Sequence, residues 1–224
     1  MSPALLDRPR TARPPAIPAR FADSSGDGRR RIPMTREEWA AFCETTERKY
    51  EWANGEAIEM PNVTKQHSKL TVSLSGMLWS LLRTRGRSDV EVDHADLCVR
   101  TRGGDGANRF ADLTVTVGPQ RFHPHPRGRE LELLNPTVVI EVLSESTAEE
   151  DETGEKFEDY TATPSVTDYV VVDSRAVRVR HRSRTGPDAA WRDVTRTGPA
   201  DALELPALGF SVTLAEIYDG VNVG

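Results

Sequence analysis

Two acidic residues interrupt the two most apolar stretches of this chain. Asp112 sits in RFADLTVTV, residues 109–117, and Glu141 sits in TVVIEVL, residues 137–143. An uncompensated carboxylate inside a core costs several kcal/mol, so each needs a partner or a place at an opening of the sheet. Either alone reads as a core acid satisfied by a salt bridge or by backbone donors. The two together, followed by a lysine-bearing segment, read as oxygen ligands for a divalent metal. Paired carboxylates suit Mg²⁺, which retains several waters and takes few protein ligands. The lysine is Lys156, fifteen residues after Glu141 in GEKFEDY, residues 154–160. An ammonium beside the acids would orient an attacking water or stabilise charge developing on a phosphate. The plainer reading of Lys156 is a weak surface partner for Asp159, one turn on.

These residues need a sheet and a helix to hold them. Phe110 to Val117 reads as a strong strand ended by Gly118-Pro119, so Asp112 would lie on one strand and Glu141 on the next. Thr137 to Leu143 is nearly all apolar, as a central strand covered on both faces must be. A charged amphipathic helix from about Ala148 to Thr161, stopped before Pro164, brings Lys156 close. Phe157 and Tyr160 share its inner face.

Upstream, Thr35 and Glu38 form a capping box ahead of Trp39, Phe42 and Cys43 at helical spacing. Tyr50–Trp52 and Ala57–Met60 read as a hairpin turning at Asn54-Gly55. Gln66 to Arg83 is the clearest helix, with Leu70, Leu74, Met77, Leu78 and Leu81 on one stripe. Further strands are expected at Val90–Val92, Ala95–Val99, Asp168–Asp173 and Ala176–His181, and weaker ones near Trp191 and Leu203. A short helix near Leu214–Tyr218 closes the chain. This order predicts a single α/β (α+β) domain with a mixed sheet flanked by helices, over residues 34–224. Residues 1–33 are rich in Arg, Pro, Ala and Gly without apolar periodicity, and are expected to be a disordered tail.

Charge divides the same way. The first 33 residues hold seven Arg against three Asp, near +4, leaving 22 Lys+Arg against 32 Asp+Glu, near −10, for the rest. An acidic body argues against tight, non-specific attraction to a phosphate backbone. Cys43 and Cys98, with no secretory signal pattern, read as reduced thiols of a cytoplasmic protein. No apolar run is long enough to span a bilayer. His123-Pro124-His125 reads as an exposed loop rather than a metal site, and no P-loop, nucleophile elbow or dinucleotide fingerprint occurs.

Six blocks stand in a telling order: RKYEWANGE (48–56), FADLTV (110–115), LLNPTVVIEVLSEST (133–147), GEKFEDY (154–160), YVVVD (169–173) and LPALGFSVTLAEIY (205–218). Together they resemble the Uma-type endonuclease family, long labelled a domain of unknown function, within the restriction-endonuclease-like PD-(D/E)xK superfamily. The resemblance covers about residues 34–222. It implies a restriction-endonuclease-like fold and a Mg²⁺- or Mn²⁺-dependent endonuclease acting on nucleic acid, with DNA expected. Two copies are a natural arrangement for cutting both strands. Residue by residue, it makes Asp112 and Glu141 metal ligands and Lys156 the catalytic lysine moved onto the following helix. It adds Glu51 as a third acid completing the metal shell, and His67, opening the long helix, as a recurrent histidine. The chain departs from the family pattern at Ala111, where relatives carry proline, and at Leu143, where many of the superfamily carry lysine. Its Ser144-Glu145-Ser146-Thr147 replaces a Ser-Pro-Ser-Thr segment. The rival reading is a non-catalytic, nuclease-derived scaffold, which a Lys156 side chain pointing away from the acids would favour.

Overall fold

Apolar runs with β-branched residues need partners on both edges and both faces, and the chain supplies them in two six-stranded sheets. The computed structural model describes residues 29–125, 128–144 and 154–223. In chain order, β1 (Arg31–Pro33), α1 (Arg36–Cys43), β2 (Tyr50–Ala53) and β3 (Glu56–Glu59) come first, then α2 (Lys65–Thr84). Next are β4 (Val90–His94), β5 (Cys98–Arg100), β6 (Asn108–Arg109), β7 (Leu113–Val117), β8 (Glu132–Leu133) and β9 (Val138–Leu143). The last part holds α3 (Glu155–Thr161), β10 (Asp168–Asp173), β11 (Val179–Ser183), β12 (Arg192–Arg196), β13 (Ala202–Leu205), β14 (Phe210–Thr213) and α4 (Leu214–Ile217).

The larger-strand sheet runs β12-β11-β10-β9-β7-β4, and the second runs β1-β3-β2-β6-β5-β8. Only β9 and β10 are parallel in the first sheet, with Glu141 opposite Val171. A parallel pair needs a crossover, and α3 lies on it. Every residue of β9 and β10 is buried, as a central pair must be. Side chains alternate across a strand. Ile140 and Val142 therefore join Leu70, Leu74, Leu78 and Leu82 of α2 in one core. Val139 and Leu143 join Tyr160 of α3 on the other face, and the same alternation puts Glu141 there too.

The capping box at Thr35 and Glu38 forms as expected. So does the hairpin, with Asn54 at φ 53° and Gly55 at φ 81°, the positive values a tight two-residue turn demands. Gly154, at φ 110°, stands immediately before α3 in a conformation side chains avoid. Two boundaries near the site differ from expectation. Order begins ahead of Met34: β1 pairs with β3, matching Ile32 to Ala57 and burying Ile32, because the hairpin edge lends a ladder to a segment with no pattern of its own. Residues 1–28 of the expected tail, and 148–153 of the expected helix, lie outside the described residues. The second concerns Asp112, which stands just before β7 rather than inside it. The β7–β9 ladder stops at Leu113 opposite Ile140, since the Asp112 carboxylate takes the Val142 N–H in place of a backbone carbonyl. The added strand β14 pairs with β13, and both pack with α4 against α2. No described helix is long and apolar enough to cross a membrane.

Candidate functional site

Five elements bring Glu51, His67, Asp112, Glu141 and Lys156 to the wall of one cavity of about 50 Å³. Glu51 comes from β2, His67 from the first turn of α2, Asp112 from the entry to β7, Glu141 from the middle of β9 and Lys156 from α3. All five residues named from the sequence are thus convergent. Lys156 Nζ lies 3.3 and 3.4 Å from the two oxygens of Glu141 and 3.4 Å from Glu51 Oε1. It faces the acids, buried, and is not the surface partner of Asp159.

Asp159 has another cation. Arg109, fully buried, donates from Nε to Asp159 at 2.9 Å and from one terminal nitrogen to Glu51 at 3.0 Å. The Phe110 N–H donates to the other Glu51 oxygen at 3.0 Å. Arg109 therefore ties β2 to α3 while standing on β6. Burial works to raise the Glu51 carboxyl, but Lys156 and Arg109 outweigh it and hold it at about 2. The two acids in turn push the Arg109 guanidinium up against its own desolvation. Burial likewise drives the Tyr160 phenol well above its ordinary value, with Glu141 and Glu51 adding to it.

Asp112 is held differently. Its Oδ2 accepts from Val142 N at 2.7 Å and lies 3.1 Å from His67 Nε2. The other oxygen makes no hydrogen bond among the described residues, and the side chain keeps 15 % exposure against 2 % for Glu51. His67 Nδ1 is buried and has no partner among the described residues, which fits an imidazole donating from Nε2 to Asp112. Thr64 caps α2 by accepting from the His67 N–H, fixing where the ring emerges.

Among the described residues, no group of three or more His, Cys, Asp or Glu is set to grip a metal ion. Asp112 and Glu141 on one cavity instead fit a hard cation that keeps most of its water. Glu51 has donors on both oxygens, from Arg109 and the Phe110 N–H, and also lies beside the Lys156 ammonium. His123 and His125 are half-buried rather than exposed, and belong to no metal-binding group among the described residues. Cys43 and Cys98 are free thiols, as expected.

Two residues were not foreseen, one behind the site and one on its cavity. Arg109 directly precedes the FADLTV block, but a lone arginine before a strand carries no signal of its partners. Arg29, in the segment expected to be disordered, is buried and lines the same cavity.

A mixed sheet that brings two acids and a lysine to one cavity defines the restriction-endonuclease-like class. A family model described as "Uma2: Putative restriction endonuclease" matches residues 36–215, and the chain belongs to that family. Two Synechocystis proteins are similar along most of their length. "Uncharacterized protein slr1290" is 28% identical over 188 residues, covering 84% of this chain and 93% of that one. "Uncharacterized protein sll1609" is 26% identical over 158 residues, covering 70% and 84%. The fold is shared with the crystal structure of "a putative nuclease belonging to DUF820" from Anabaena variabilis. That match has a TM-score of 0.61 and 14% identity, and covers 85% of this chain and all of the other.

Proposed function

We propose that this protein is a metal-dependent endonuclease that hydrolyses phosphodiester bonds of nucleic acid, with DNA as the expected substrate. The carrying observation is the meeting of Asp112, Glu141 and Lys156, from three separate elements, on one cavity. Membership of a restriction-endonuclease-type family supports the reading. The inward aim of Lys156 counts against the scaffold alternative.

Asp112 and Glu141 would hold Mg²⁺ or Mn²⁺, with water completing the shell. The chemistry such a cation supplies when bound is neutralisation of phosphate charge and easier ionisation of water. The protein's own groups do the rest. His67 and the Val142 N–H fix the Asp112 carboxylate through one oxygen and leave the other toward the cavity. Glu51, itself held by Arg109, anchors Lys156 so that its ammonium stands at Glu141 before substrate arrives. A positive group placed in advance where charge develops needs no reorganisation during the reaction. The cavity has room for little more than a water or two, so a substrate phosphate would meet these groups at its opening.

The test is a panel of single- and double-stranded DNA and RNA with Mg²⁺, Mn²⁺ or chelator, run on the full chain. Metal-dependent cleavage that vanishes in Asp112→Ala is the expected result. Full activity in Asp112→Ala would sink the proposal.

A further inference from the structure

A second concavity, about 540 Å³, lies against the same first turn of α2 as His67. Lys65, Gln66 and Lys69 form one wall, and Ser174, Arg175 and Asn222 stand across it. None of its described lining residues is acidic, although residues 34–224 carry a net charge near −10. Lys65 and Lys69 are exposed, and their spacing of four places them on one helical face. His67, midway between them, projects about 200° away from both at 100° per residue, into the catalytic cavity. The groove and the cavity are therefore the two sides of one helical turn. They are joined a second way. Ser174 of the groove hydrogen-bonds the Leu143 carbonyl by both its backbone N–H, at 3.1 Å, and its hydroxyl, at 2.6 Å. Leu143 is two residues beyond Glu141 and adjoins Ser144, which lines the cavity.

We propose that this Lys65–Lys69–Arg175 groove binds the sugar–phosphate backbone of the nucleic-acid strand that is cut, next to the scissile phosphate. The inference rests on the nuclease reading and gives it a binding surface. The wall between groove and cavity is one helix, about 10 Å across with its side chains. At about 3.4 Å of helix axis per nucleotide in a duplex, the contacted phosphates lie within about three nucleotides of the bond attacked. Arg175 is oriented for this by Asp173, which accepts from its Nε and a terminal nitrogen at 3.0 Å each. Such contacts read no bases. They set register and let an acidic body bind a polyanion through one local basic surface.

The test measures binding apart from cleavage. Full-length Asp112→Asn protein in chelator is titrated onto a fluorescein-labelled duplex, and separately onto the single strand, from about 50 to about 200 mM NaCl. Adding Lys65→Ala and Lys69→Ala should weaken binding equally on unrelated sequences and lower the log–log salt slope by about 1 per lysine. Arg83→Ala, at the far end of α2, is the control for general loss of charge and should leave the slope unchanged. An unchanged slope and affinity in the double-lysine variant would overturn the groove, as would an equal drop in the control. Unaltered binding by the lysine variant alongside metal-dependent cleavage by the wild type removes the groove but keeps the nuclease. A lysine-dependent slope with no wild-type cleavage keeps the groove and removes the nuclease.

Discussion

The floor and the rim of the candidate cavity both present a carboxylate, yet they are built on opposite principles. At the floor, Glu51 meets Arg109, Lys156 and the Phe110 N–H, and its side chain is 2 % exposed. At the rim, Asp112 meets one imidazole and one N–H, both on Oδ2, and is 15 % exposed. The floor is a neutralised ion network that joins β2, β6 and α3. The rim is an acid with one oxygen that makes no hydrogen bond among the described residues. Sharing a cavity therefore does not mean sharing an environment: Glu51 is enclosed by cations, while Asp112 keeps more of its exposure.

The sharpest way to break this contrast is to remove the cation at the floor. Arg109→Ala leaves Glu51 and Asp159 without their buried guanidinium, and should cost about 3–5 kcal/mol of stability by denaturant or thermal unfolding. Arg109→Lys should rescue little, since an ammonium cannot fork between two carboxylates as a guanidinium does. A loss below about 1 kcal/mol would show the network to be ornamental.

Acid titration probes the same network more gently. Glu51 titrates at about 2 in the folded chain against an ordinary 4.5. Its stabilisation is thus complete above the ordinary value and is lost as pH falls from about 4.5 toward about 2, on the order of 3 kcal/mol in all. Unfolding free energy followed through that window should show the fall in the wild type and a shallower one in Glu51→Gln. Identical profiles would contradict the strong pairing.

The rim should behave the other way. Asp112→Asn is expected to leave thermal stability nearly intact while lowering metal-dependent kcat/KM by on the order of 100-fold, the scale of one lost preorganised charge. Calorimetry of the same variant should show weakened Mg²⁺ or Mn²⁺ binding. The smallest effect belongs to His67→Ala, where losing the group that orients Asp112 should cost about 10-fold in activity. A larger loss for His67 than for Asp112 would mean that the imidazole, and not the carboxylate, does the chemistry.

Legibility in the sequence follows the range of the interactions. Asp112 and Glu141 stand out because each breaks an apolar run, and strand alternation is a local rule. The α2 stripe and the capping box at Thr35 are equally local, and both form as read. Glu51 and His67 carry no local signature and entered only through the family resemblance of their blocks. Arg109 carried none at all, because its partners lie 58 and 50 residues away along the chain. Arg29 was hidden by composition: a segment rich in Arg and Gly reads as disordered until a hairpin edge offers it a ladder.

By itself, then, the sequence determined the apolar strands, the long amphipathic helix and the two acids that a buried sheet must justify. The tertiary structure decided what each charge is for. Desolvation makes a buried carboxylate costly, so its role depends on which cation reaches it. That depends on strands and a helix distant in the chain. Arg109 and Lys156 enclose Glu51, while Asp112 meets a single backbone N–H and a histidine among the described residues.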